Sequence, residues 1–295
     1  MTVAAGDRVT RPGHVQYGDL LLGPGTPYGW RTISGWEDLP PLDSGTVARS
    51  DAHGAIPGQL LAQSRTVTLD GMVVRAPRAM VGAVIAVLNA GTVPVDGELP
   101  LVVWLDDRGP LLAHARATRR ALPAGPGWRL GTVTGGAVEF VATDPRRYQL
   151  AERSASTPLP MPEPGLAFPL AFPLDFGPPG STGTLTAVND GDAPTHPVIE
   201  FRGPVAAPSL TSVESGDVLE YDLPLAAGDV LVVDTAAGTV TLNGAASRIH
   251  TATSRSVPEQ TFTLVPGASH MTFRAAPGST DPAASVTVRW RSAYW

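Results

Sequence analysis

Hydrophobic and polar positions alternate with a period of two along most of the chain, in short runs parted by glycine, proline and asparagine. Alternation of that kind puts successive side chains on opposite faces of a strand, one buried and one solvated. In the first half, residues 65–75 (RTVTLDGMVVR) read as a strand kinked at Gly71, with Val67 and Leu69 on one face. Residues 99–106, 111–118, 128–134 and 137–143 read as further strands parted by turns. Only residues 77–89 carry helical spacing. Pro77 suits the first helical position, Val81, Val84, Ile85 and Leu88 share a face, and Asn89-Ala90-Gly91 offers a stop. The first half is expected to be a small β structure with a single helix across it.

Beyond Gly183 the alternation returns in runs at 184–188, 197–202, 208–213, 217–221, 229–234, 238–242, 261–265, 269–274 and 284–291. Turn signals such as Ala227-Gly228, Asn243-Gly244 and Pro266-Gly267 separate them. Short strands at this spacing predict a β-sandwich of about 110 residues. Between the halves, residues 154–183 repeat proline every few positions and hold two AFPL copies, at 167–170 and 171–174. Proline at that density favours extended backbone and cannot join interior sheet ladders. Evenly spaced Phe168, Phe172 and Phe176 make it an apolar connector, expected to lie along a protein surface. The predicted organisation is 1–153, connector 154–183, and 184–295.

Composition sharpens this picture. The 295 residues include 32 glycines and 30 prolines, which disfavour a helical protein because both are costly inside helices. With 43% hydrophobic and 16% charged residues the chain can bury a core rather than remain solvated. Its basic residues are all arginine, the mark of a GC-rich coding sequence. A net charge of −6 argues against specific nucleic-acid binding, which needs a dominant basic field. The absence of cysteine removes disulfides, thiolate nucleophiles and cysteine-ligated metals. No apolar run is long enough for membrane insertion, and the first residues lack the pattern of a secretory signal. The expectation is a soluble product made in a cytoplasm.

Candidate chemistry is sparse. His14, His53, His114, His196, His250 and His270 are scattered, and neither HExxH, GxSxG nor a phosphate-binding glycine loop occurs. No catalytic, metal or cofactor residues are therefore assigned, and the protein is not expected to be an enzyme. Asn189-Asp190-Gly191-Asp192 offers oxygen ligands but lacks the distal ladder of a calcium loop, so a tight turn is the favoured reading. Asp106-Asp107 would sit on opposite faces of a strand and reads as a hairpin tip rather than a catalytic dyad. The doublets Arg119-Arg120 and Arg146-Arg147 read as interface or solvated arginines. Among the second-half aromatics, Tyr221 and Trp290 are the candidates for glycan contact, against a core role for the tryptophan. Trp295 suggests a docked end.

Three stretches carry a recognisable order of motifs. Residues 44–71 set Arg49, Asp51 and Gly54 in a turn that leads, past Gly58, to R-x-V-x-L-x-G (Arg65, Val67, Leu69, Gly71). Residues 141–148 read VATDPRRY, with Asp144, Pro145 and Tyr148 fitting A-x-D-P-R-x-Y. From Asn189 to Gly203 an N-x-G-D-A-x-x-x-P-V-I-E-F-x-G opening is followed by G-D-V-L-x-x-D, V-x-L-N-G, L-x-P-G and a V-x-W-R-x-A-Y finish. In this order and spacing the chain resembles the distal tail protein (Dit) family of long-tailed, siphovirus-type bacteriophages, and the Pro/Phe-rich stretch departs from the pattern.

The resemblance implies a mainly β chain: an N-terminal β-sandwich or split-barrel-like domain with one helix, then a galectin-like β-sandwich of jelly-roll type. It implies a structural virion protein at the distal tail tip, with six copies in a ring joining the tail tube protein to the tail-tip or baseplate hub protein. Receptor-binding proteins would attach at its side. The alternative function is capture of host glycans by the second domain. Arg49, Asp51, Gly54, Arg65, Gly71, Asp144, Pro145 and Tyr148 are the resulting candidates for the N-terminal fold or for ring contact.

Overall fold

The computed structural model describes residues 3–161 and 180–295, and the chain divides into two compact units, residues 1–150 with Trp295, and residues 151–294. Both are mainly β, as expected.

In the first unit the antiparallel order is Leu20–Leu22, Val15–Tyr17, Leu99–Val103, Leu111–Ala121, Thr132–Ala142, Arg65–Arg75 and Tyr28–Gly29. Thr32–Ser34 pairs with the 65–75 strand, and Arg147–Gln149 pairs with Leu111–Leu112. The strand Leu111–Ala121 turns the corner of the barrel-like sheet. Its first half pairs with Leu99–Val103, its second with Thr132–Ala142, and its register shifts between Ala117 and Arg119. A bulge of this kind bends and twists a strand, which is how a sheet curls on itself. Leu69, Met72, Leu101, Val138 and Phe140 fill the interior, with the Tyr17 ring centroid 4.7 Å from that of Phe140.

The helix runs Val81–Gly91, with Val81, Ile85 and Leu88 buried. It begins four residues beyond Pro77, which instead opens a turn closed by the Met80 N–H on the Pro77 carbonyl (2.7 Å). Its last carbonyls are satisfied by Arg120, which donates to Asn89 O (3.0 Å), Thr92 O (3.3 Å) and Thr92 Oγ1 (2.6 Å). A cation there complements the negative end of the helix dipole. Thus Arg120 is not a free surface arginine.

Three expectations change. Residues 128–134 and 137–143 are not two strands. Gly127–Leu130 forms one helical turn, and a single strand, Thr132–Ala142, absorbs Gly135-Gly136 as irregularities opposite Met72. Flexible glycines there accommodate a bulge instead of reversing the chain. The predicted strand 261–265 is a 3-10 turn, Glu259–Thr261, followed by one bridge between Leu264 and Thr195. The third change concerns the connector. Arg153–Pro158 is a strand of the second unit, antiparallel to Ser285–Trp290, because Ala155 and Thr157 alternate with outward polar residues. Leu159 joins that unit's core, and Met161 pairs with Ser181 through bonds of 2.8 and 2.9 Å. Both ends of the proline-rich stretch therefore lie on the second unit, and the boundary falls after Leu150. Its middle, with the AFPL copies and Phe168, Phe172 and Phe176, lies outside the described residues.

The second unit is a sandwich of two antiparallel sheets. One has the order Arg153–Pro158, Ser285–Trp290, Val198–Arg202, Val230–Asp234, Thr239–Leu242 and Ala246–Ser247. The other has the order Thr184–Asn189, Gly267–Arg274, Ser209–Ser212 and Val218–Glu220. Alternation is strict in Ser285–Trp290, where Val286, Val288 and Trp290 point inward and Thr287 and Arg289 outward. Phe201 packs with Tyr221 and Phe273 at the centre, with ring centroids 6.2 and 5.9 Å away.

Candidate assembly site

Between Trp36 and Arg65 the chain leaves the sheet as a two-stranded ribbon. Leu42–Asp43 pairs with Leu61–Ala62, and Val47–Ala48 pairs with Ala55–Ile56. The tip closes with the Arg49 N–H on the Gly54 carbonyl (3.2 Å), and Gly54 takes the left-handed conformation (φ +96°) that a side chain would resist. Arg49 and Asp51 are exposed at this tip. Along the ribbon Leu39, Leu42, Val47, Ile56, Leu60 and Leu61 are exposed, several of them by more than half (Leu60 64%, Ile56 57%). A two-stranded ribbon without a core is marginal in water, and aliphatic side chains in such a row mark a surface meant to be covered.

The root of the ribbon is locked by Arg65, which is only 1% exposed. Its Nη1 donates to the carbonyls of Gly35 (2.7 Å), Trp36 (2.9 Å) and Asp38 (2.7 Å), the three residues from which the ribbon springs. Its Nε donates to Pro145 O at 2.7 Å, 80 residues away. The R-x-V-x-L-x-G and A-x-D-P-R-x-Y motifs thus meet through one guanidinium. Burial, then the neighbouring Arg147, lowers the Arg65 pKa to about 10.

Around this lock the charges are paired. Arg147 bonds Glu37 at 2.8 Å, lies 5.8 Å from the Trp36 ring centroid, and also donates to the main-chain oxygen of Trp295. Glu37 accepts Arg108 at 3.1 Å on its other oxygen. Burial pushes the Glu37 carboxyl up, but the two arginines outweigh it and hold it below its ordinary value. Asp144 accepts from Arg146 Nε at 2.8 Å and from the Tyr148 hydroxyl at 2.5 Å. Its pKa too is lowered, those bonds outweighing burial, while burial and then Asp144 raise Tyr148.

The motif residues therefore fall into separate places. Arg49, Asp51 and Gly54 form the ribbon tip. Arg65 and Pro145 meet at its root, and Asp144 and Tyr148, flanking Pro145 in sequence, are bonded to each other. Gly71 bends the long strand at φ +63°, where an added Cβ would stand 2.8 Å from that of Arg31. Trp36, Glu37 and Arg108 complete the root without having been singled out from sequence, and Arg147, read there as an interface or solvated arginine, is buried in it against Glu37. The contiguous Gly35-Trp36-Glu37-Asp38 stretch was the available signal, since a lone buried tryptophan beside acids calls for partners.

Other candidates do not form a site. Tyr221 is fully buried with its hydroxyl 3.2 Å from Glu259 Oε1, and Trp290 is 5% exposed with its indole N–H on Val188 O at 2.9 Å. Neither ring is available to stack on a sugar, so both are core residues. Asn189 is buried and locks its own turn, donating to Ala193 O (2.8 Å) and Leu264 O (3.2 Å) and accepting from the Gly191 and Ala293 N–H groups. Asp106 lies in the connection of a hairpin, held by Arg108 at 2.6 Å. Among the described residues no group of three or more His, Asp or Glu side chains is placed to hold a metal. No helix among them is long and apolar enough to cross a membrane.

Comparison with known proteins agrees with the architecture. Residues 190–294 match the family model described as siphovirus-type tail component, C-terminal domain. No curated protein matches the sequence. Among solved structures, the SPP1 Dit protein, described as a paradigm of the hub adsorption apparatus in phages infecting Gram-positive bacteria, superposes with a TM-score of 0.67. That match covers 96% of this chain and 99% of the other at 12% identity. A chain of the phage p2 baseplate in its activated conformation with strontium follows at a TM-score of 0.50, covering 94% and 96% at 8% identity. At such identities the likeness is one of fold. Residues 190–294 thus carry the C-terminal domain of the siphovirus-type tail component family, and the chain as a whole has the fold of the SPP1 Dit protein.

Proposed function

We propose that this protein is a structural subunit of the distal tail of a long-tailed phage, six copies closing a ring at the end of the tail tube. The ring is a hub. The tube protein meets it on one side, the tail-tip or baseplate protein on the other, and receptor-binding proteins attach around it. The observation that carries this reading is the ribbon: an arm of exposed aliphatic residues with no core of its own, rooted rigidly on Arg65. An arm on one part of a subunit that fits a different part of the next makes a head-to-tail contact, and such contacts close into rings. The role asks for packing and pairing, not for chemistry on a substrate. Glycan capture has lost its two stacking residues to the core and is not favoured by any observation in the second unit.

The test is the mass of the purified full chain by native mass spectrometry, with negative-stain images. A closed assembly of six times the 30.6 kDa chain is expected. A chain that stays monomeric at high micromolar concentration, or stops at a two-fold dimer, overturns the ring.

A further inference from the structure

The helix Val81–Gly91 contains no charged residue, and its outward face is Gly82, Ala83, Ala86, Val87 and Ala90, all exposed. A helix apolar on every side belongs in a buried setting, yet the first unit covers only one side of this one. Beside that face lies a groove of about 640 Å³. Val87 and Ala90 line it from the helix, together with Leu21, Val93, Val95 and Leu99. The same unit therefore presents two uncovered apolar features of opposite shape. One is a projecting row of large aliphatics on the ribbon. The other is an apolar recess beside a helix face of small side chains.

We propose that the groove and outer face of this helix receive the ribbon, residues 39–62, of a neighbouring copy, and that this is the contact that closes the ring. The inference rests on the ring reading above and names its interface. Shape favours it: Gly82, Ala83, Ala86 and Ala90 let a strand pair approach closely, and the groove takes Leu60, Leu61 or Ile56. Charge favours it as well. The ribbon carries Asp43 and Asp51 against one arginine, Arg49, while residues 75–91 carry Arg75 and Arg78 and no carboxylate. The groove lining adds one charge of each sign, Arg8 and Asp19. A patch that fitted itself would give a two-fold dimer. Two unlike patches that fit each other give a rotation that repeats.

The chain has no cysteine, so introduced thiols are the only ones present. Copies carrying Ile56→Cys are mixed with copies carrying Val87→Cys and mildly oxidised, and parallel mixtures use Val47→Cys and Leu60→Cys. A disulfide between the two kinds of copy, with little homodimer from either alone, is the expected result. One chain carrying both cysteines should give a covalent ladder ending at the ring. Separately, Val87→Glu should raise the concentration for half-assembly by about 30-fold or more, as loss of an interface anchor does. Its circular dichroism and melting should stay unchanged, because Val87 is 57% exposed. Full-sized rings by native mass spectrometry with no ribbon-to-helix link from any of the three ribbon positions overturn this interface and leave the ring standing. So do Val87→Cys homodimers, or an unaffected Val87→Glu ring. Monomers throughout, with no link, overturn the ring reading itself.

Discussion

The strand Arg65–Arg75 and the ribbon that runs into it are neighbours in sequence, both antiparallel and both rich in aliphatic residues. They end in opposite states. In the strand, burial alternates residue by residue, Val67, Leu69, Met72 and Val74 entering the core while Thr66, Asp70 and Arg75 face out. In the ribbon nearly every position is exposed, aliphatic or polar. Composition does not separate the two segments. The difference is whether a second layer exists to receive one face, and for the ribbon no such layer is supplied by the first unit. The comparison teaches that hydrophobic residues in extended structure report where burial is needed, not within which chain it happens.

Arg65 stands at the junction of the two states and offers the largest break. Arg65→Met would leave the Gly35, Trp36, Asp38 and Pro145 carbonyls without their donor in a buried place. Each such loss costs about 1–3 kcal/mol, so destabilisation of about 3–5 kcal/mol is expected. Urea unfolding followed by tryptophan fluorescence checks it, and Arg65→Lys should recover part of the loss by keeping one or two bonds. A change within about 0.5 kcal/mol, the range of an ordinary surface substitution, would remove the lock from the argument.

Next comes a direct pairing of the two regions. Leu69→Ala should cost about 2–5 kcal/mol in unfolding free energy, the usual range for a buried leucine. Leu60→Ala, on the ribbon, should cost under about 0.5 kcal/mol in chains diluted below assembly. In concentrated samples Leu60→Ala should instead weaken association, read by native mass spectrometry. If the two leucines cost the same in the diluted chain, the ribbon is folded against its own unit and the contrast fails.

Much of the strand side of this comparison was legible in the sequence. Alternation gave the strand 65–75 with its bend at Gly71, placed Val81, Ile85 and Leu88 on the buried helix face, and favoured a core role for Trp290. The site was legible only as motifs. Arg65 was picked out as a motif residue, but its partners are main-chain carbonyls, which leave no mark on side-chain identity. The Glu37–Arg147 pair spans 110 residues, and nothing local links its members. The ribbon escaped because period-two patterning predicts a strand without saying whether a layer lies beneath it. Around Ser154–Pro158 the density of prolines beyond obscured a short alternating strand.

Gly71 offers a smaller break on the strand side. At φ +63° a side chain is strained, and its Cβ would press on Arg31 at 2.8 Å. Gly71→Ala should destabilise by about 1–3 kcal/mol, and Thr68→Ala, on the outward face of the same strand, serves as the control. Equal melting temperatures for the two variants would mean that the bend tolerates a side chain.

The smallest expected effect concerns pH and the Asp144–Tyr148 segment beside the root of the ribbon. Asp144 is pushed up by burial, but its bonds from Arg146 and Tyr148 dominate and its folded pKa is depressed. A carboxyl of that kind contributes stability that is fully present above its unfolded pKa, about 4, and lost as pH falls through the lower folded value. Glu37, also depressed, contributes in the same direction. Stability of the native chain should therefore hold from neutral pH to about 5 and decline below about 4. Asp144→Asn removes one of these titrations, so its stability should be lower at pH 7 and should decline less steeply between pH 4 and pH 2. Denaturant titrations across that range measure both slopes. If the variant and the native chain decline in parallel, the charge of Asp144 does not steady the segment that carries Pro145, and the bonds that the Arg65 guanidinium donates to main-chain carbonyls fix the arm on which assembly depends.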